Sequence, residues 1–151
     1  MLRTRLKEAL VTAMKARDTV AVATLRLILA ALKDRDIAAR GKGNLTGIPE
    51  EAILDLLQSM IRQRHESIDL YRIGERLDLV QREGAEIEVI QRFLPAQMDE
   101  AEVESAVGET VAELKATSLK DMGRTMAALK ERYAGRMDFA KAGALVKKQL
   151  T

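Results

Sequence analysis

The sequence predicts an all-α protein: an N-terminal helical domain of two αα-hairpins followed by a small three-helix C-terminal bundle. Three observations predict it. The chain is rich in Leu, Ala, Met, Glu, Lys and Arg, has 3% aromatics and no Trp, and so combines helix-forming residues with an aliphatic core. Its apolar residues recur three and four apart, the period of one helix face. That period breaks at Phe93-Leu94-Pro95-Ala96-Gln97-Met98-Asp99. Pro95 lacks a backbone N–H and disfavours helical geometry at Leu94, while Asp99 with Glu102 three residues on has the form of a capping box. One helix ends and another begins there, which sets the expected domains at residues 1–95 and 96–151.

The first helix is expected from Leu2 to Arg17, on a stripe of Leu2, Leu6, Leu10 and Met14 with Ala9 and Ala13 beside it. Asp18 or Thr19 caps a second helix that runs to about Arg40 on Val22, Leu25, Leu29 and Leu32, widened by Ile28 and extended by Ile37. Residues 41–47, with three glycines, match no phosphate-binding fingerprint and follow no strand, so they read as a flexible connector. Pro49 suits the first position of a third helix, where its missing N–H costs nothing. That helix runs to about Ile73, with Ile53, Leu57, Met60, Ile61, Ile68 and Tyr71 facing inward, and Gly74 ends it. The fourth is expected over about 75–94 on Leu77, Val80, Ile87, Ile90 and Leu94; Gly84 within it leaves room for another helix to approach closely.

Past the junction the helices shorten. The fifth runs from Glu100 to about Lys115 on Val103, Val107, Val111 and Leu114. Ser118 with Asp121 has the capping-box spacing and opens a sixth, to about Tyr133, on Met122, Met126 and Leu129. Gly135 breaks the chain, and Asp138 caps a seventh helix carrying Phe139, Ala142, Leu145, Val146 and Leu150.

Composition excludes several classes of function. With no Cys there are no disulfides, thiolate metal sites or cysteine nucleophiles, which fits a reducing compartment. The longest apolar run, Leu27 to Leu32, is fenced by Arg26 and Lys33 and is too short to span a bilayer. The N-terminus is charged and amphipathic without a signal-peptide core, so the expected location is cytoplasmic, with no membrane partner. His65 is the only histidine, and Ser67, two positions on, diverges from it on a helix, so no nucleophile–base pair forms. No catalytic residue, metal site or cofactor is expected. Arg64, Ser67, Tyr71, Arg72, Arg76, Asp78, Glu83 and Glu86 line the third and fourth helices; an ion-pair network is favoured over a ligand site there.

Charge carries the functional reading. Residues 1–95 hold 16 Lys/Arg and 14 Asp/Glu. Residues 96–113 hold six acids and no base, whereas residues 114–151 hold nine bases against Asp121, Glu131 and Asp138. A basic tail of that density fits phosphate backbones, and helix N-termini such as Asp121-Met122-Gly123-Arg124 add N–H donors. Lys120, Arg124, Lys130, Arg132, Arg136, Lys147 and Lys148 are the candidate RNA contacts. A solvated face shaped by helix dipoles is the plain alternative.

Leu25-Arg26-Leu27-Ile28, Arg64-His65-Glu66-Ser67, Phe93-Leu94-Pro95, Asp121-Met122-Gly123-Arg124, Gly135-Arg136-Met137-Asp138 and the Val146-Lys147-Lys148-Gln149-Leu150 ending together resemble the YqeY-like proteins of the GatB/YqeY family, over essentially the whole chain. The resemblance implies a larger N-terminal helical domain and a three-helix C-terminal domain similar to the tail of the B subunit of the aspartyl/glutamyl-tRNA amidotransferase, a tail implicated in engaging tRNA. It also carries the family label of a carbon–nitrogen ligase with glutamine as amido-N-donor. No amidase Ser–Ser–Lys segment or metal–ATP site stands in this chain to perform that reaction. The expected function is therefore a non-catalytic tRNA-binding or amidotransferase-related accessory module. Its expected partners are tRNA and a tRNA-dependent enzyme or other protein; the alternative is a helical protein–protein interaction module.

Overall fold

The computed structural model describes residues 1–151 as seven α-helices with no strand. They are α1 (Leu2–Ala16), α2 (Thr19–Gly41), α3 (Glu50–Ile73), α4 (Leu77–Gln91), α5 (Glu100–Glu113), α6 (Met122–Tyr133) and α7 (Phe139–Leu150). The chain divides into two compact units, Met1–Leu94 and Pro95–Thr151.

In the first unit α1 pairs with α2, α3 pairs with α4, and α4 packs on α2. Asp18 is the cap of α2, accepting the Ala21 N–H at 3.1 Å. Leu6, Leu25, Ile28, Ile53, Leu57 and Ile90 are fully buried at its centre. Burying such a side chain contributes about 1.5–3 kcal/mol, so this cluster holds the unit together.

Several expected core positions move. Met14 is half exposed, because a strict spacing of four drifts round a helix of 3.6 residues per turn; Ala13 is buried in its place. Ile37 and Leu77 are exposed, and Tyr71 is only partly covered. Leu56, Val89 and Phe93 join the core instead. Pro49 lies just outside α3 as its cap residue, in extended geometry. At the α3–α4 turn Glu75, not Gly74, takes the left-handed conformation, with φ 57°. Nothing stands within 4 Å of where a Cβ would sit on Gly84, so no helix approaches it closely.

In the second unit each pair of helices touches. Val107, Leu129 and Val146, one from each helix, are fully buried where they meet. Thr110 and Thr125 are buried too, and return their hydroxyls to the Ala106 and Asp121 carbonyls at 2.8 Å, so neither leaves an unmet donor. Asp99 caps α5 through the Glu102 N–H at 2.8 Å. Ser118 and Asp121 form a reciprocal capping box around a single 3-10 turn that leads into α6. Asp138 caps α7 through the Ala140 N–H. The incoming segment is tied to the α6–α7 turn: the Met98 N–H donates to the Arg136 carbonyl at 2.9 Å, and the Gln97 amide donates to the Pro95 and Gly135 carbonyls.

Candidate nucleic-acid interface

The basic residues of the second unit fall into two groups once their partners are known. Arg124 is drawn to Asp121, with Nε donating at 3.1 Å. Arg132 pairs with Glu113 of α5 at 2.6 Å. Arg136 is half-buried, and its Nε points to the Ala96 carbonyl at 3.3 Å. Arg132 and Arg136 tie α6 and the turn after it to other parts of the unit, and Arg124 pairs locally at the start of α6, so each of the three already has an acidic or carbonyl partner. Lys120, Lys130, Lys147 and Lys148 are exposed, and their ammonium groups make no hydrogen bond or ion pair.

Helix geometry gathers the free lysines on α7. Its buried stripe is Ala142, Val146 and Leu150. Lys141, Lys147 and Lys148 stand on the other side, all exposed. Lys141 and Lys148 are seven residues apart and therefore share a face about 10 Å long. Lys141 was not among the seven candidates; its spacing to Lys148 is the signal that finds it. Lys120 and Lys130 sit near opposite ends of α6, one before its first turn and one in its last.

α5 is the opposite case. Glu100, Glu102, Glu104 and Glu109 are exposed on it, and none has an ion-pair partner. The second unit therefore presents an acidic helix and a basic helix side by side. Asp121 is held below the ordinary carboxylate range, first by the Thr117 N–H at 2.9 Å, then by Arg124 and the Ser118 N–H. It stays ionised as the anchor of the capping box.

His65 is exposed on α3, with no hydrogen bond to a neighbour. No cluster of three His, Asp or Glu is arranged to hold a metal ion. Of the eight polar residues named on the α3–α4 hairpin, four form ion pairs: Arg64 Nε meets Glu86 Oε2 across the two helices at 3.0 Å, with Arg82 3.8 Å from the other Glu86 oxygen, and Arg76 pairs locally with Asp78 at 3.1 Å. The glycine-bearing connector is held by Asn44, whose side chain bridges the Thr46 N–H and the Gly47 carbonyl.

The sequence profile described as Yqey-like protein matches residues 3–150 of this all-helical chain. The chain belongs to the YqeY-like family. Its YqeY-family relatives include "Altered inheritance of mitochondria protein 41, mitochondrial" of Lachancea thermotolerans, 38% identical over 113 residues, 73% of this chain and 58% of the relative. The protein of the same name from Eremothecium gossypii is 36% identical over 60% of this chain and 48% of the relative. That from Saccharomyces cerevisiae is 33% identical over 59% and 46%. The chain thus spans about half the length of the curated relatives it matches. No helix is long and apolar enough to cross a membrane.

Proposed function

We propose that this YqeY-family chain is a non-catalytic helical accessory module that binds tRNA through the second unit. The observation that carries the reading is the set of unpaired lysines on α6 and α7, with Lys141, Lys147 and Lys148 on the solvent side of one helix. Flexible, unpaired ammonium groups suit sequence-independent contact with phosphates, and their binding releases counterions. With no stacking aromatic exposed beside them, backbone or shape recognition is the mode that fits. The amidotransferase link enters through the family resemblance alone: this chain would accompany such an enzyme rather than perform its chemistry. The fungal relatives are named as mitochondrial, so the proposed setting is an aqueous compartment with its own translation, mitochondrial in a eukaryote and cytoplasmic in a bacterium.

Fluorescence anisotropy of labelled tRNA across a salt series tests this reading. Affinity should fall with salt by about 0.7–0.9 log units per log unit for each phosphate neutralised. No tRNA binding at low salt would remove it and leave the protein–protein module, for which the acidic face of α5 provides the charge asymmetry.

A further inference from the structure

The chain has no cysteine, so its seven methionines are its only sulfur. They are unevenly used. Met98, Met122, Met126 and Met137 all lie in or against the core of the second unit, whereas Met60 alone serves the core of the first. That second core is small, with seven buried apolar residues against seventeen in the first. It therefore depends more heavily on its thioethers. Met122 and Met126 stand one turn apart on α6 and share the face turned to α7. There they meet over Gly143, in the middle of α7. A Cβ at Gly143 would stand 3.8 Å from the Cε of each methionine and 3.9 Å from Met126 Sδ. Those are ordinary van der Waals distances, so a methyl group would fit, and glycine leaves its place unfilled. Met122, Met126 and Gly143 are each only partly buried. The two thioethers thus pack as core residues do, yet stay within reach of a small solute.

We propose that Met122 and Met126 form an oxidation site through which a hydroperoxide loosens α7 from α6. A sulfur lone pair attacks one peroxide oxygen, an S–O bond forms and the O–O bond breaks. The transferred oxygen gives its proton to the departing hydroxide. One thioether and one hydrogen peroxide become one sulfoxide and one water; sulfur is oxidised by two electrons and the peroxide reduced by two. The product sets a polar S–O group against the α7 backbone, whose N–H groups in mid-helix are already bonded within the helix. The new acceptor is satisfied only by turning out to water, and the apolar contact over Gly143 is lost. Lys141, Lys147 and Lys148 stand on the helix so loosened. The loosening is a property of the bundle and does not depend on what those lysines bind.

Hydrogen peroxide treatment of the full chain, followed by peptide mass spectrometry and amide hydrogen exchange, tests this. Met1 and Met14, 87% and 50% exposed, should gain oxygen first, then Met122 and Met126, with Met60 and Met137, at 7% and 2%, the slowest. Once Met122 and Met126 are sulfoxides, exchange should quicken about tenfold or more in α6 and α7 and stay unchanged in α1 to α4. Methionine sulfoxide reductases of both stereospecificities should restore the slow exchange. Met122→Leu with Met126→Leu conserves apolar volume and keeps the other five methionines, so the same treatment should leave its exchange slow. Gly143→Ala fills the seam and should slow oxidation of Met126 relative to Met1. The proposal is overturned by Met122 and Met126 staying unoxidised when Met14 is fully converted, or by slow exchange in α7 once both are sulfoxides. Exchange that quickens equally in the leucine pair also overturns it.

Discussion

Arg3 grips Asp36 with both ends of its guanidinium: Nη1 donates to Oδ2 at 2.6 Å and Nη2 to Oδ1 at 2.7 Å. Nη2 also reaches the Ile48 carbonyl at 3.0 Å, and the Ile48 N–H returns to Asp36 Oδ1 at 2.9 Å. The cluster ties α1, α2 and the segment entering α3 together. Gly47 sits against it with φ 93°, and a Cβ there would stand 2.6 Å from Arg3 Nη2. Both the backbone angle and the space require glycine at that point.

This cluster makes stability depend on acid. Arg3 and the Ile48 N–H hold the Asp36 carboxyl at about 2, below its ordinary 3.8. The ionised form is the one the fold favours, so its contribution is complete above the unfolded pKa and is lost as pH falls from about 4 through about 2. Both side chains are partly exposed, which limits the effect to about 1–2 kcal/mol. Urea midpoints at pH 7 and pH 3 check this. The native chain should lose more stability on acidification than Asp36→Asn, and equal losses would mean the pair does not act.

Arg64 and Glu86 are coupled more deeply. Each side chain is only 11% exposed, and Arg64 also donates to the Met60 carbonyl at 3.1 Å. Glu86→Ala leaves a buried guanidinium without its counter-charge and should cost about 3 kcal/mol. Arg64→Met with Glu86→Leu removes both charges and should recover most of that loss. Thermal denaturation of the two single variants and the double variant measures the coupling; additive losses would show that the charges act independently.

The division between free lysines and engaged arginines predicts an asymmetry in RNA binding. Lys147→Glu with Lys148→Glu should weaken tRNA binding and lower the salt slope by about 2. Arg124→Gln or Arg132→Gln should change affinity little, since those charges already face Asp121 and Glu113. Anisotropy at two salt concentrations separates the cases. Equal losses from both sets would show that the engaged arginines of α6 contact RNA as much as the lysines of α7 do.

Cutting after Leu94 tests where the function lies. Residues 1–94 hold their own core of Leu6, Leu25, Ile28, Ile53, Leu57 and Ile90, and should remain helical by circular dichroism. They should bind tRNA weakly or not at all. Full affinity in that fragment would put the binding surface on the wrong unit.

Most element boundaries were legible because they depend on neighbours in the chain. Asp18, Asp99, Ser118 with Asp121, and Asp138 cap helices by reaching N–H groups two to four residues away, and Pro95 blocks a helix by its own ring. The α3–α4 turn was less legible: Gly74 marks its place, but Glu75 takes the positive φ.

The sequence by itself determined the all-helical class, the break at Pro95 and the basic character of residues 114–151, all of which follow from local period, capping and composition. Tertiary structure alone decided which residues those patterns use. Met14, Ile37 and Leu77 lie at apolar positions of their helices yet face solvent, because no neighbouring helix covers them there. The break at Phe93-Leu94-Pro95 became the boundary of two units only once Phe93 was seen in the core of the first and Pro95 tied through Gln97 to the second. Among nine bases counted as one patch, Arg124 and Arg132 turned to carboxylates and Arg136 to a carbonyl, leaving the lysines to solvent. Charge can be counted along a chain, and a local pair such as Arg124–Asp121 follows helix spacing, but the Arg132–Glu113 and Arg136–Ala96 contacts depend on distances between separate elements that only the packed fold sets.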